Sequence, residues 1–204
     1  MPRLAAALIS LLAWAGLAIQ FHATLAQNGS VADTVFILLR FFTVLTNLLV
    51  ALAFAAIALG RSVRPFWLGG LTLAIVLVGA VYGLLLRGLV ELSGGAILAD
   101  TLLHKIVPVL VPLYWLAFAP KGDLRWRHAF AWSLYPLAYF AYALVRGSVE
   151  GRYAYPFIDV ARIGYGQTVI NAVMIAAGFV ASGLALVAID RALAASSADR
   201  TPAP

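Results

Sequence analysis

Residues 34–60 read TVFILLRFFTVLTNLLVALAFAAIALG, an apolar run interrupted by the polar members of Arg40-Phe41-Phe42-Thr43-Val44-Leu45-Thr46-Asn47. At ~1.5 Å per residue the run is long enough to cross ~30 Å of hydrocarbon as a helix. On a 3.6-residue helix Arg40, Thr43 and Asn47 share one face, at i, i+3 and i+7. A guanidinium, a hydroxyl and an amide in hydrocarbon are costly unless they face protein or a polar cavity. The stripe is therefore the first candidate site, with the other spans packed to shelter it. The competing reading has Arg40 snorkelling to the interface and Thr43 bonded to its own helix backbone.

Working outward, the whole chain shares this character. It has 204 residues, of which 64% are hydrophobic and 11% charged, with a mean hydropathy of +0.98. Soluble domains sit near ~45–50% apolar and ~25% charged, so the composition is that of an all-α polytopic membrane protein. The net charge of +6 does not point to nucleic acid. Its basic residues are scattered over short loops, as topology and anionic headgroups require, without a basic stripe carrying interleaved aromatics. Cysteine is absent, which excludes disulfides, thiolate nucleophiles and Cys-ligated metals.

Six apolar segments of spanning length run roughly over 4–25, 34–60, 66–90, 98–119, 128–147 and 165–189. They predict a six-transmembrane-helix bundle filling residues 1–193. The first opens with Arg3 and an apolar core, as a signal sequence does. Its core is long, however, and no convincing small-x-small site follows, so it is read as a helix. One set of loops holds Arg3, Arg61, Arg64, Lys121, Arg125, Arg127, Arg191 and Arg200. The other holds Arg87, Arg146, Arg152 and Arg162 with five acids, Asp33, Glu91, Asp100, Glu150 and Asp159. The positive-inside rule then places both termini in the cytoplasm. Residues 194–204, rich in Ala, Ser and Pro, are expected to form a disordered cytoplasmic tail. No internal repeat supports an inverted-repeat transporter. Gly79-x-x-x-Gly83 reads as a close-packing motif.

With this topology the second and fourth spans both begin on the outer side. Thr43 lies ~9 residues into one and His104 ~6 residues into the other, so their depths match within ~5 Å. Asp100 precedes His104 by four residues, which lets the carboxylate orient the imidazole on a helix. Pro108 and Pro112 follow in LLHKIVPVLVP, and two prolines at i, i+4 should kink the helix and free carbonyls. A threonine hydroxyl becomes a useful nucleophile when a neutral histidine takes its proton and donors hold the oxyanion. A lone intramembrane histidine can equally join two helices. His22 and His128 read as interfacial. The fifth span carries a one-sided ladder of Tyr135, Tyr139 and Tyr142, and Tyr155-Pro156-Phe157 reads as a rigid aromatic turn. Gln167, Thr168 and Asn171 lie near the outer end of the last span, and these polar residues are expected to converge in the outer half of the bundle.

RFFTVLTN at 40–47, LLHKIVP at 102–108, YPLAYFAY at 135–142 and GRYAYPFIDVARIGYG at 151–166 together resemble bacterial Pr6Pr-type membrane proteins. These look like relatives of the eukaryotic androgen-induced-gene-1 family, which includes the androgen-dependent TFPI-regulating protein. The resemblance runs from WAGLAIQFH to the last span. It implies a multi-pass threonine hydrolase of fatty acid esters of hydroxy fatty acids, with membrane lipids or fatty acid esters as partners. Carried over, the nucleophile falls on Thr43, with Thr46 competing one turn away, and the base falls on His104. The place of a second histidine found in eukaryotic members is held here by an apolar residue.

The leading expectation is thus an intramembrane lipid esterase with Thr43 as nucleophile and His104 as base. Asp100 would orient the imidazole, and Arg40, Asn47, Tyr139, Tyr142 or Asn171 would support the site or bind substrate. No cofactor or metal is implied, since one histidine and one carboxylate fall short of a zinc site. The alternative is a non-catalytic protein, either a small-solute or lipid transporter or a packing subunit.

Overall fold

Gly29-Ser30 shows how the chain punctuates itself. The first helix, α1 (Pro2–Asn28), starts on a proline whose missing N–H costs nothing there. It ends at Gly29, in the left-handed region at φ 71°, whose N–H bonds the Leu25 carbonyl. Ser30 then caps α2 (Val31–Leu38) by accepting from the Asp33 N–H. This computed structural model describes residues 1–89 and 91–198. Among them it contains helices and turns but no strand. The chain divides into two compact units, Met1–Ala119 and Pro120–Pro204.

In the first unit, α2 is followed by α3 (Phe42–Ala58), α4 (Pro65–Val81), α5 (Gly95–Thr101) and α6 (Val107–Phe118). A π-turn, Tyr82–Leu86, extends α4, and a second, Leu102–Ile106, joins α5 to α6. The expected continuous helix over 34–60 is broken. Leu39 to Phe41 leave the helical path, Phe41 is extended at φ −97°, ψ 128°, and α2 and α3 meet at 96°. No proline or glycine makes this bend. The turn closes on short bonds, Arg40 N–H to Ile37 O and Phe41 N–H to Leu38 O, and it buries Leu38 and Phe42 on either side.

The core of this unit is built on small residues. Ala6, Ala13 and Ala51 are fully buried, so α1 and α3 approach closely enough for the Ser10 hydroxyl to donate to the Ala51 carbonyl at 2.8 Å. Such contacts suit a medium in which hydrocarbon burial gives helices little reason to associate. Phe54 and Tyr114 meet edge to face at 5.0 Å. Of the GxxxG pair, only Gly79 does what the motif promises. A Cβ there would lie 2.9 Å from Pro108 Cβ and 3.5 Å from the His104 carbonyl oxygen, whereas Gly83 faces open space.

The second unit contains α7 (Trp126–Glu150), a short 3₁₀ turn at Pro156–Ile158 and α8 (Val160–Ala198), broken at Gly164 (φ 75°, ψ 164°). The helix assignment continues to Ala198, and residues 199–204 of the expected tail lie outside the described residues. Asp190, fully buried, organises the connection into α7. Its Oδ2 accepts from the N–H groups of Gly122 and Leu124 at 2.9 and 3.0 Å. Burial lowers the pKa of Lys121, and the Asp190 carboxylate opposes that shift. His128 does not merely face the interface: its Nδ1 accepts from the Arg125 N–H and so caps α7.

Four helices among the described residues are long and apolar enough to cross a membrane: Pro2–Asn28, Pro65–Leu86, Gly95–Phe118 and Val160–Ser196. The bent pair of α2 and α3 makes a fifth when counted as one span. The chain is therefore an all-helical protein with four to five such helices. A Gly79→Val variant should unfold at lower temperature, by about 1–3 kcal/mol of stability, because Pro108 cannot move aside. Gly83→Ala should leave thermal unfolding of the detergent-purified protein within ~0.5 kcal/mol of wild type.

Candidate functional site

Pro108 generates the first part of the site. It lacks an N–H, so neither the His104 carbonyl in an α register nor the Leu103 carbonyl in a π register can bond to it. The chain answers with the π-turn, in which the Val107 N–H reaches back to Leu102 O. The Leu103 carbonyl is satisfied from another helix. Asn47 Nδ2 donates to it at 3.2 Å and to the Thr43 carbonyl at 2.9 Å. Asn47 is fully buried, and both of its N–H bonds are used in this way. Its Oδ1 is buried with no hydrogen-bond partner among the described residues. It is a staple between the start of α3 and the turn that carries His104.

The second part is a cluster where the two π-turns meet. Such turns often mark functional sites. The Tyr82 ring stacks on His104 at 4.3 Å between centroids and 17° between planes. Its hydroxyl donates to Asp100 Oδ2 at 2.7 Å. Lys105 Nζ lies 3.0 Å from the same oxygen and 5.5 Å from the Tyr82 ring centre. His104 Nδ1 lies 3.0 Å from Asp100 Oδ1, although it is not aligned for a full hydrogen bond. The expected Asp100–His104 contact is present. With Nδ1 turned to the carboxylate, Nε2 is the nitrogen left for chemistry. Exposure rises across the cluster, from 10% for the Asp100 side chain through 21% for His104 to 47% for Lys105.

The proposed stripe is only partly assembled. Thr43 and Asn47 share α3, but Arg40 precedes the helix at the break, so the three do not lie on one helical face. Thr43 is buried in the first turn of α3, and Thr46 is buried one turn on. Among the described residues no hydrogen bond joins the Thr43 hydroxyl to His104. The histidine is partnered by Asp100 and Tyr82 instead.

Tyr139, Tyr142 and Asn171 belong to the second unit. The Tyr139 ring neighbours Tyr142 and Tyr155 at 6.1 and 6.5 Å. The Tyr142 hydroxyl accepts from Arg146 Nη1 at 2.7 Å, and Arg146 Nε pairs with Glu150. Asn171 Nδ2 donates to the Phe157 carbonyl at 2.9 Å, while its Oδ1 accepts from Gln167 at 2.9 Å. In the aromatic turn the Tyr155 and Phe157 rings stack at 5.1 Å. Asn171 thus works as the anchor of that turn.

Residue-by-residue reading missed Tyr82, Lys105 and the Arg146–Glu150 pair. The last is an i, i+4 pair visible in the sequence. Tyr82 offered only a hydroxyl in an otherwise apolar segment, and its role needs the two π-turns to face each other. The cluster supplies one histidine and one carboxylate, and no group of three metal-binding side chains occurs among the described residues. No protein-family model, curated protein or solved structure matches the chain.

Replacing Asn47 by Leu should strand the Leu103 carbonyl in an apolar interior. The expected loss is about 1–3 kcal/mol. Thermal or denaturant unfolding in detergent would register it, with Gln167→Leu, at an exposed position, changing far less.

Proposed function

We propose that this chain is an integral membrane esterase of fatty acid esters, with hydroxy fatty acid esters as the implied substrate class. Thr43 Oγ1 attacks the ester carbonyl while His104 Nε2 accepts its proton. The same proton passes to the leaving alkoxide, giving the alcohol and an acyl-Thr43 ester. Water, deprotonated by His104, then attacks that ester, and the proton returns to Thr43 as the fatty acid leaves. Asp100 orients the imidazole and offsets its transient positive charge. The observation that carries this reading is the Asp100–His104 pair, set at a π-turn that Asn47 ties to the Thr43 turn. The resemblance of the four sequence stretches supplies the ester chemistry. Asn47, whose N–H bonds are committed, positions the two turns rather than binding the oxyanion. That leaves Arg40, at the break before α3, as the nearest candidate in sequence for a substrate carboxylate or oxyanion.

The same proposal takes the bent pair as one span and α7 as another, which gives six. Residues 128–145 of α7 carry no Asp, Glu, Lys or Arg, and at ~1.5 Å per residue they cover ~27 Å. With six spans both termini lie in the cytoplasm of a bacterium by the positive-inside rule.

A second reading is favoured by one observation: His104 is held by Asp100 and Tyr82, without a hydrogen bond to Thr43. On that reading the protein is a transporter or a packing subunit, and the cluster joins helices. Hydrolysis of a panel of fluorogenic and branched fatty acid esters by purified protein separates the two. The esterase reading expects turnover to fall at least ~100-fold in Thr43→Ala and His104→Ala and to survive in Thr46→Ala, all three folded. Absence of turnover by folded wild type on every ester would sink it in favour of the second reading.

A further inference from the structure

We infer that Tyr82 and Lys105 are positioning residues for His104, acting through Asp100. Both donors converge on one oxygen, Asp100 Oδ2, at 2.7 and 3.0 Å. That leaves Oδ1 facing His104 Nδ1 at 3.0 Å. A carboxylate on a flexible side chain would otherwise rotate freely between its two oxygens. Pinning one of them fixes the direction of the other, and with it the imidazole tautomer. Tyr82 adds a second constraint, because its ring lies flat against the imidazole and limits its rotation.

Among the described residues, the neighbouring helices present backbone, apolar or neutral groups here. From α4, Gly79 presents backbone to the His104 carbonyl. From α1, Gly16 meets Leu102 and Leu103, and from α3 the neutral Asn47 meets Leu103. The charged groups acting on His104 are Asp100 and Lys105. Lys105 also sets a positive charge beside the Asp100 carboxylate, 3.0 Å from Oδ2.

The chain has three histidines, His22, His104 and His128, which makes the tautomer directly measurable. Protein labelled with ¹⁵N-histidine in detergent micelles, assigned with His22→Gln and His128→Gln, should show neutral His104 as the Nδ1–H form. Tyr82→Phe keeps the stack and removes the hydroxyl, and it should give a mixture of both tautomers. Lys105→Met, at a half-exposed side chain, should do the same and covers the case in which Tyr82→Phe fails to fold. A folded Tyr82→Phe or Lys105→Met that retains the Nδ1–H form overturns the assignment of that residue.

The effect on turnover rests on the esterase reading: kcat should fall about tenfold or more in both variants with KM unchanged. A wild type without turnover, whose variants nevertheless shift tautomer, would refute the esterase and leave the positioning role standing. Turnover in wild type with unshifted tautomers in both variants would do the reverse.

Discussion

The first unit depends on a carbonyl that its own helix cannot satisfy. Pro108 removes the N–H that would have closed the turn, and in an apolar layer water does not replace it. Leaving such a carbonyl bare costs about 1–3 kcal/mol. Asn47 removes the cost with one N–H and uses the other on its own helix at Thr43. The result is more than local repair. The same bond fixes where α3 begins relative to α5 and α6, and so relates the two segments that carry Thr43 and His104.

Close packing then converts that register into a site. Gly79 lets α4 come within reach of Pro108 and of the His104 carbonyl, and this approach brings Tyr82 over the imidazole. Asp100 receives tyrosine and lysine on one oxygen and faces histidine with the other. A carboxylate as buried as Asp100 is expensive without a charged or hydrogen-bonding partner. The Asp100–Lys105 pair, with its tyrosine donor, faces the His104 imidazole, and exposure rises from Asp100 to Lys105.

The second unit solves its polar problems in a similar way but on loops. Asp190 gathers two loop N–H groups at one end of α8. Asn171 holds the Phe157 carbonyl near the other end. Each takes a turn that the helix geometry does not determine and fixes it to the helix through one polar side chain. Gly147 serves the same turn region by making room for Tyr153, whose ring would clash with a Cβ there.

Composition and hydropathy by themselves pointed to apolar helices long enough to cross a membrane, because long runs with few charges satisfy their backbone internally as helices. Four to five such helices occur among the described residues. The Asp100–His104 contact was also legible, since a spacing of four residues places two side chains together on any helix. The break at Leu39–Phe41 was not. It contains no proline or glycine, and a run of apolar residues around one arginine reads the same whether the helix continues or turns by 96°. Arg40 consequently left the face it was expected to share with Thr43 and Asn47. Nor could the sequence assign the amide of Asn47 to Leu103, or Tyr82 to His104 and Asp100. Those contacts join residues 18 to 56 positions apart. Only the packing of α3, α4 and the Leu102–Ile106 turn decides them, through the close approach that Gly79 allows and the carbonyl that Pro108 leaves open.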